Sequence, residues 1–408
     1  MKLLTVDTIE QAREKIINHV KSWQLKTETA CLNNAVNRIL AEDLFAVCDI
    51  PSFRRSTVDG YAVIASETAG AGESAPFYFK LKGSVLMGKE AGFSVCSGEC
   101  AYVPTGGMLP AGADAVVMAE YTEDAGEGIA VYEPAASGSG TAEQGEDFKK
   151  GNLLLRRGTC IRPQEIGALS AAGITSVNVF APIAISIIST GDELAAPEQE
   201  PAPGQVRDIN TNLLKALAVK HGYSVLSAQV FPDDELQLEN AVREAMLTSA
   251  IVIISGGSSQ GKKDLTADII NKTAKPGIFT HGLAVKPGKP AILGWDEAGK
   301  TLLAGLPGHP VSAMMIFELL FGWLNAKNKI QKDFPVPARV SCNVPGAPGK
   351  LTLLPVVLMP DEACSYYAEP VFGKAGMIST LTQADGYIII EMNREGLKKG
   401  ETVMVHLF

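Results

Sequence analysis

The 408-residue chain has no run of basic residues, and its formal net charge is −9. With a pI near 5.3, that balance excludes a generic nucleic-acid or anionic-membrane partner. An anionic ligand must then be met by local cations. No apolar stretch approaches the roughly 18 residues of a membrane span. The first residues hold one lysine and then a polar, helix-forming stretch, with no apolar signal-peptide core. The expectation is a cytoplasmic protein. Seven cysteines, at 31, 48, 96, 100, 160, 342 and 364, are odd in number and scattered, which suits a reducing compartment and supplies no disulfide framework. Cys96 and Cys100 stand four apart without a second pair or a nearby histidine, so two ordinary thiols are favoured over a zinc site. There is no internal repeat. The G-x-x-x-x-G-K-[ST] spacing is also missing, which disfavours ordinary P-loop hydrolysis.

What is present between Ile183 and Met314 is a succession of strand–loop–helix units. Ile183–Ile188 and Ala250–Ile254 are short, β-branched and apolar on both faces, as parallel strands buried on two sides must be. The first stops at Thr190-Gly-Asp-Glu-Leu194. A helix is expected from Asn210 to His221, with Asn210 as N-cap and Gly222 for the left-handed turn after it. Tyr223–Val230 reads as strand, and Pro232-Asp233-Asp234 opens the next helix. The order βαβαβ predicts a doubly wound αβ domain that takes its ligand at the carboxyl ends of the strands.

The rest of the chain divides around this module, since 408 residues exceed what one core serves, at about 150 residues per domain. Thr8–Val20 reads as an amphipathic helix with a Thr8/Gln11 capping box, and a second short helix is expected over Leu32–Leu40. Phe77–Lys82 and Glu99–Val103 read as strands, and Ala135–Gly145 as a mobile linker. Pro163 starts a helix through Ala171 that Gly173 ends. Pro310–Ala326 is a strongly apolar helix. Ala338–Val344, Leu351–Leu358, Tyr366–Val371, Tyr387–Met392 and Glu401–Leu407 are five strands of a small β-barrel or sandwich. The expected domains are 1–52 with 141–180 (discontinuous, helical), 53–140 (β-rich), 181–330 (αβ) and 331–408 (β-barrel).

Chemistry concentrates in the αβ loops. Asp192 and Glu193 follow Gly191 at a strand end, where two carboxylates can face one crevice, although a helix-starting acidic pair would look the same. Ser255-Gly256-Gly257-Ser258-Ser259 after a buried strand can present a nest of N–H donors to a phosphate or oxyanion, and Asp264 can hold a metal or cap a helix. A β-branched side chain at Gly256 is expected to block close approach of a ligand while sparing the fold. Lys286-Pro-Gly-Lys289-Pro290 is either an anion clamp or a solvated turn. Gly305-Leu-Pro307-Gly-His309-Pro310 shapes a loop before the apolar helix, and His309 alone could be an ordinary surface histidine.

TGDEL at 190–194, the acidic pair 233–234, SGGSSQGKKD at 255–264, KPGKP at 286–290, GLPGHPVS at 305–312 and DGYAV at 59–63 together resemble the molybdopterin molybdenumtransferases of the MoeA type, related to part of gephyrin. GEDFKKG at 145–151 and RDIN at 207–210 fit as well, so the resemblance covers nearly the whole chain. It implies a homodimer that inserts molybdenum from molybdate into adenylylated molybdopterin with Mg2+, releasing AMP, and leaves room for a molybdopterin adenylyltransferase as partner. On this resemblance Asp59, Thr105, Glu193, Asp233 and Asp264 are the catalytic set, Glu193, Asp233 and Asp264 being the metal ligands. Asp59 and Thr105 would complete the site across the dimer. Thr190, Gly191, Asp192, Ser255, Gly256, Gly257, Ser259, Lys286, Lys289, Pro307 and Pro310 would bind substrate. Ser258, Gln260, Lys262 and His309 depart from the family pattern, which keeps open a paralogue that inserts tungstate or a non-catalytic pterin-binding scaffold. A third reading, adenylyl transfer, fits the large flanking domains poorly.

Overall fold

The computed structural model describes residues 6–256, 265–327, 329–330, 334–361, 365–373 and 377–408. They form two compact units: up to 28, 37–39 and from 180 onward in the first, 29–36 and 40–179 in the second. Among the described residues no helix is long and apolar enough to cross a membrane.

The first unit begins with α1 (Ile9–Val20), whose Thr8 and Gln11 make the expected reciprocal cap. Its main sheet holds β1 (Ala184–Thr190), β2 (Ser224–Phe231), β3 (Ile251–Gly256), β4 (Pro276–His281), β5 (Ile292–Asp296) and β6 (Thr301–Leu306) in the order β2-β1-β3-β6-β5-β4. β2, β1, β3 and β6 are parallel, and β5 runs antiparallel to both β6 and β4. The helices α2 (Asn210–Lys220), α3 (Glu235–Thr248), α4 (Leu265–Thr273) and α5 (Pro310–Phe317) cover both faces.

The period of two explains why these strands read as apolar throughout. Ile185, Ile187, Ile251, Ile253, Leu302 and Ala304 enter one core with Leu214 of α2 and Phe317 of α5. The residues between them, Ile188, Val252, Ile254 and Leu303, enter the other with Val242 of α3 and Ile270 of α4. Each buried isoleucine, leucine or valine side chain among them contributes roughly 1.5–3 kcal/mol on removal from water. Ile9, Ala12 and Ile16 of α1 belong to the first of these cores. The helix that sequence joined to 141–180 thus buries its apolar stripe in the αβ unit.

The apolar helix from Pro310 continues to Ala326, but Glu318–Gly322 widens to a π-helical turn. There Glu318 meets His221 Nε2 at 2.8 Å and Lys220 Nζ at 3.0 Å. Past it, Leu351–Pro360, Tyr366–Pro370, Val336–Val340, Thr402–Leu407 and Gly386–Ile390 pair in that order, and the last returns to the first, closing a five-stranded barrel. All five expected strands occur. Val285–Lys286 adds outside the ring, with Val285 opposite Leu351 and Lys286 opposite Thr352.

In the second unit Ala115–Met118, Gly60–Val63, Glu99–Val103, Phe77–Ser84, Ile129–Val131 and Thr122–Asp124 form a six-stranded sheet. The helix Pro163–Ala171 ends at Gly173 with φ +73°. Two expectations are corrected here. Leu32–Leu40 is not a helix: a three-residue 3-10 turn, Leu32–Asn34, gives way to Asn37 in the left-handed region, φ 64°. The segment expected to be a mobile linker is hydrogen-bonded into the unit. Thr141–Ala142 pairs with Arg55–Ser56, and the Thr57 and Val116 N–H groups donate to Gly140 O and Ser139 O at 2.9 and 2.8 Å.

Candidate functional site

Register brings the polar strand ends of the first unit level with one another. Thr190 lies opposite Phe231 on one side and Gly256 on the other, and Ser255 lies opposite Leu306. Each strand then hands its chain to a loop at the same edge, the expected place for a ligand in an open αβ sheet.

The two acidic residues after β2 divide their work. Asp234 caps α3, accepting from Gln237 N at 2.8 Å, so its carboxylate is committed to the helix. Asp233 turns to β1 instead: its Oδ1 accepts from the Thr190 hydroxyl at 2.6 Å, and its N–H donates to Asp192 Oδ1 at 3.0 Å. The Glu193 carboxylate folds back over Gly191, where a Cβ would come within 2.6 Å of it, so a side chain at 191 would displace that carboxylate. No helix starts at Asp192 and Glu193, which removes the reading of them as a dipole-stabilising pair. Leu194–Ala195 is a short strand beside Val206–Arg207, and Glu193 O accepts from Val206 N at 2.8 Å.

Gly256 closes β3 with φ +108°, and a Cβ on it would run into Thr190 O. Its carbonyl accepts from the buried Thr266 hydroxyl at 3.0 Å. Gly257, Ser259 and Asp264, with Ser258, Gln260 and Lys262, lie outside the described residues. The loop from Gly305 arrives alongside: a Cβ on Gly308 would stand 3.9 Å from Gly256 Cα. Pro307 precedes the turn, and Pro310 is the first residue of α5.

Asn210 was misread. Ile209 occupies the cap position of α2, and Asp208 Oδ1 accepts from Thr211 N at 3.3 Å. The Asn210 side chain reaches across to Ser255 and the Pro307–Gly308 turn. RDIN at 207–210 was the available signal, but a polar residue ahead of an apolar run reads locally as a cap.

Lys286 ends the short strand Val285–Lys286 and Lys289 lies in the turn after it; both are exposed, and among the described residues neither is in an ion pair. Gly288 has φ +112° and no room for a Cβ, which would lie 2.5 Å from Ile316 of α5. The turn is thereby seated on the first unit's core. In the second unit, Asp59 Oδ1 accepts from Thr105 N at 2.7 Å, linking those two candidates directly.

Asp192, Glu193 and Asp233 offer oxygen ligands only, the donor type Mg2+ takes. Among the described residues no three acidic, histidine or cysteine side chains gather as a metal-holding group. Cys96 is exposed, whereas Cys100 is buried and its thiol is pushed up to about 12 by burial. That pair is two separate thiols.

The sheet and its loop set define a class before any name does: an αβ ligand-binding domain within a larger chain, and residues 186–326 match the family model described as a probable molybdopterin binding domain. Residues 7–173 match the MoeA N-terminal region (domain I and II), and 337–408 the MoeA C-terminal region (domain IV). A molybdopterin molybdenumtransferase of Haemophilus influenzae is 30% identical, with 98% of both chains covered, and one of Bacillus subtilis is 30% identical over 98% of this chain and 93% of its own. A solved structure of the molybdopterin biosynthesis MoeA protein of Pyrococcus horikoshii superposes with a TM-score of 0.80 at 35% identity, covering 99% of each chain. The chain belongs to the MoeA family.

Proposed function

We propose that this protein is a molybdopterin molybdenumtransferase: it takes adenylylated molybdopterin and molybdate and yields molybdenum cofactor and AMP. The observation that carries the reading is the convergence of Thr190, Asp192, Asp233, Ser255, Gly256 and the Pro307–Gly308 turn at one sheet edge. On this reading Thr190, Gly191, Ser255–Gly257, Ser259, Pro307 and Pro310 shape the pterin site. Lys286 and Lys289 attract the anionic substrates. Two unit charges 4 Å apart repel by about 4 kcal/mol at an effective dielectric near 20, so those cations have a clear task. Glu193, Asp233 and Asp264 would hold Mg2+, which when bound neutralises charge on the phosphoanhydride. Thr190 keeps the Asp233 carboxylate aimed, and Asp192 fixes its backbone. Asp59 and Thr105 complete the catalytic set. We further propose a cytoplasmic homodimer served by a separate molybdopterin adenylyltransferase.

Purified protein incubated with adenylylated molybdopterin, Mg2+ and either molybdate or tungstate tests this. AMP release that requires molybdate is expected. Release with tungstate alone identifies the tungsten paralogue, and binding without any release identifies a scaffold.

A further inference from the structure

Asn210 Nδ2 donates to Ser255 Oγ and to Gly308 O, each at 2.8 Å, and points at Pro307 O at 3.5 Å. The two carbonyls only accept, so the amide nitrogen must face them and Oδ1 must face away. Oδ1 is buried and, among the described residues, has no hydrogen-bond partner; the residue is 7% exposed. Because Asp208 already serves Thr211 N, the start of α2 does not need this side chain.

We propose that Asn210 is a positioning residue for ligand binding. One planar amide holds the carboxyl end of β3 and the Pro307–Gly308 turn at a single spacing, so that Ser255 and that turn meet the ligand as a preformed surface. The bond to Ser255 has a second effect. By accepting from Asn210, the Ser255 hydroxyl keeps its own proton to give, and among the described residues no acceptor takes it. Ser255 is thereby set as a donor toward an electron-rich ligand atom. The inference rests on the reading that this edge binds molybdopterin.

Asn210→Leu keeps the size and removes the donors without adding a charge; Asn210→Ser serves if the first variant does not fold. Each full-length variant is titrated calorimetrically with molybdopterin, melted, and followed by hydrogen exchange at Ile254–Gly256 and Leu306–His309. Affinity is expected to fall about tenfold, with faster exchange in both segments and a melting temperature near wild type. Adding Ser255→Ala should then weaken binding by less than the two single losses combined, because the side chains act through each other. Unchanged affinity overturns the proposal. So does lost affinity with unchanged exchange, which would make Asn210 a direct ligand contact. If the wild-type protein binds no molybdopterin, the functional reading has failed, and exchange alone decides whether Asn210 clasps the two segments.

Discussion

The Thr190 hydroxyl donates to Asp233 Oδ1 at 2.6 Å, so the ends of two neighbouring parallel strands are joined by a carboxylate that is itself a candidate ligand. Removing either partner disturbs the same oxygen. Asp233→Ala should lower AMP release by at least about a hundredfold while pterin affinity changes little, because its charge matters chiefly as the anhydride is attacked. Thr190→Val should act in the same direction more weakly, by about tenfold, since one hydrogen bond is worth about 1 kcal/mol. Equal losses in affinity and turnover would refute the assignment.

Gly256→Val is expected to destabilise the fold, against the sequence expectation that it would only block the ligand. Its φ of +108° and the position of Thr190 O leave no place for a side chain. A loss above about 3 kcal/mol in denaturant melts is expected, from strain and steric conflict together. A melt within about 1 kcal/mol of wild type would show that β1 and β3 separate easily at their ends.

Lys286→Ala and Lys289→Ala should weaken binding of the adenylylated pterin and leave the melting temperature unchanged, since both are exposed. The effect should shrink as salt rises from about 0.01 to 0.15 M, where the screening length falls from about 30 to 8 Å. A salt-independent effect would mean a contact other than charge.

Glu318 gives the unit an acid-side limit. Burial pushes its carboxyl up, but the His221 hydrogen bond and the His221 and Lys220 charges outweigh that and hold it below the usual 4.5. The unfolded chain therefore takes up the proton first as pH falls. This contribution is whole above about pH 4.5 and disappears as pH drops through the lower folded value. Melting temperature followed from pH 6 downward should fall, and Glu318→Gln should flatten that slope.

Asp59→Ala and Glu193→Ala chains should each be inactive, and mixing them should restore part of the AMP release if the proposed homodimer assembles a site from both chains. Dead mixtures, with subunit exchange demonstrated by mass, would eliminate a shared site.

Local rules recovered the parts of the fold that local physics decides. Thr8 with Gln11, Pro163 at a helix start, Gly222 after α2 and the strands apolar on both faces were all legible, because each depends on a few adjacent residues. Asn210 was not: its partners lie 45 and 98 residues away, and nothing nearby distinguishes a bridging amide from a capping one. The split between Asp233 and Asp234 was hidden for the same reason. Glu318, at the start of the π-helical turn, likewise meets Lys220 and His221, 98 and 97 residues distant, which no local pattern announces. Linker and helix expectations at 135–145 and 32–40 failed where glycine content and apolar spacing were outweighed by backbone pairing and by the left-handed Asn37.

The C-terminal ring is continuous with the αβ core in two ways. Leu351, Leu353 and Tyr387 share one buried cluster with Ile9 and Phe317, and Val285–Lys286 is stitched by backbone to Leu351–Thr352. Severing the chain in the 330s would therefore leave two sticky fragments, each with a raw hydrophobic wound. The barrel resists exchange as a cassette, and any drift in the lysine turn's sequence must satisfy a neighbour on the barrel as well as whatever molecule the turn attracts.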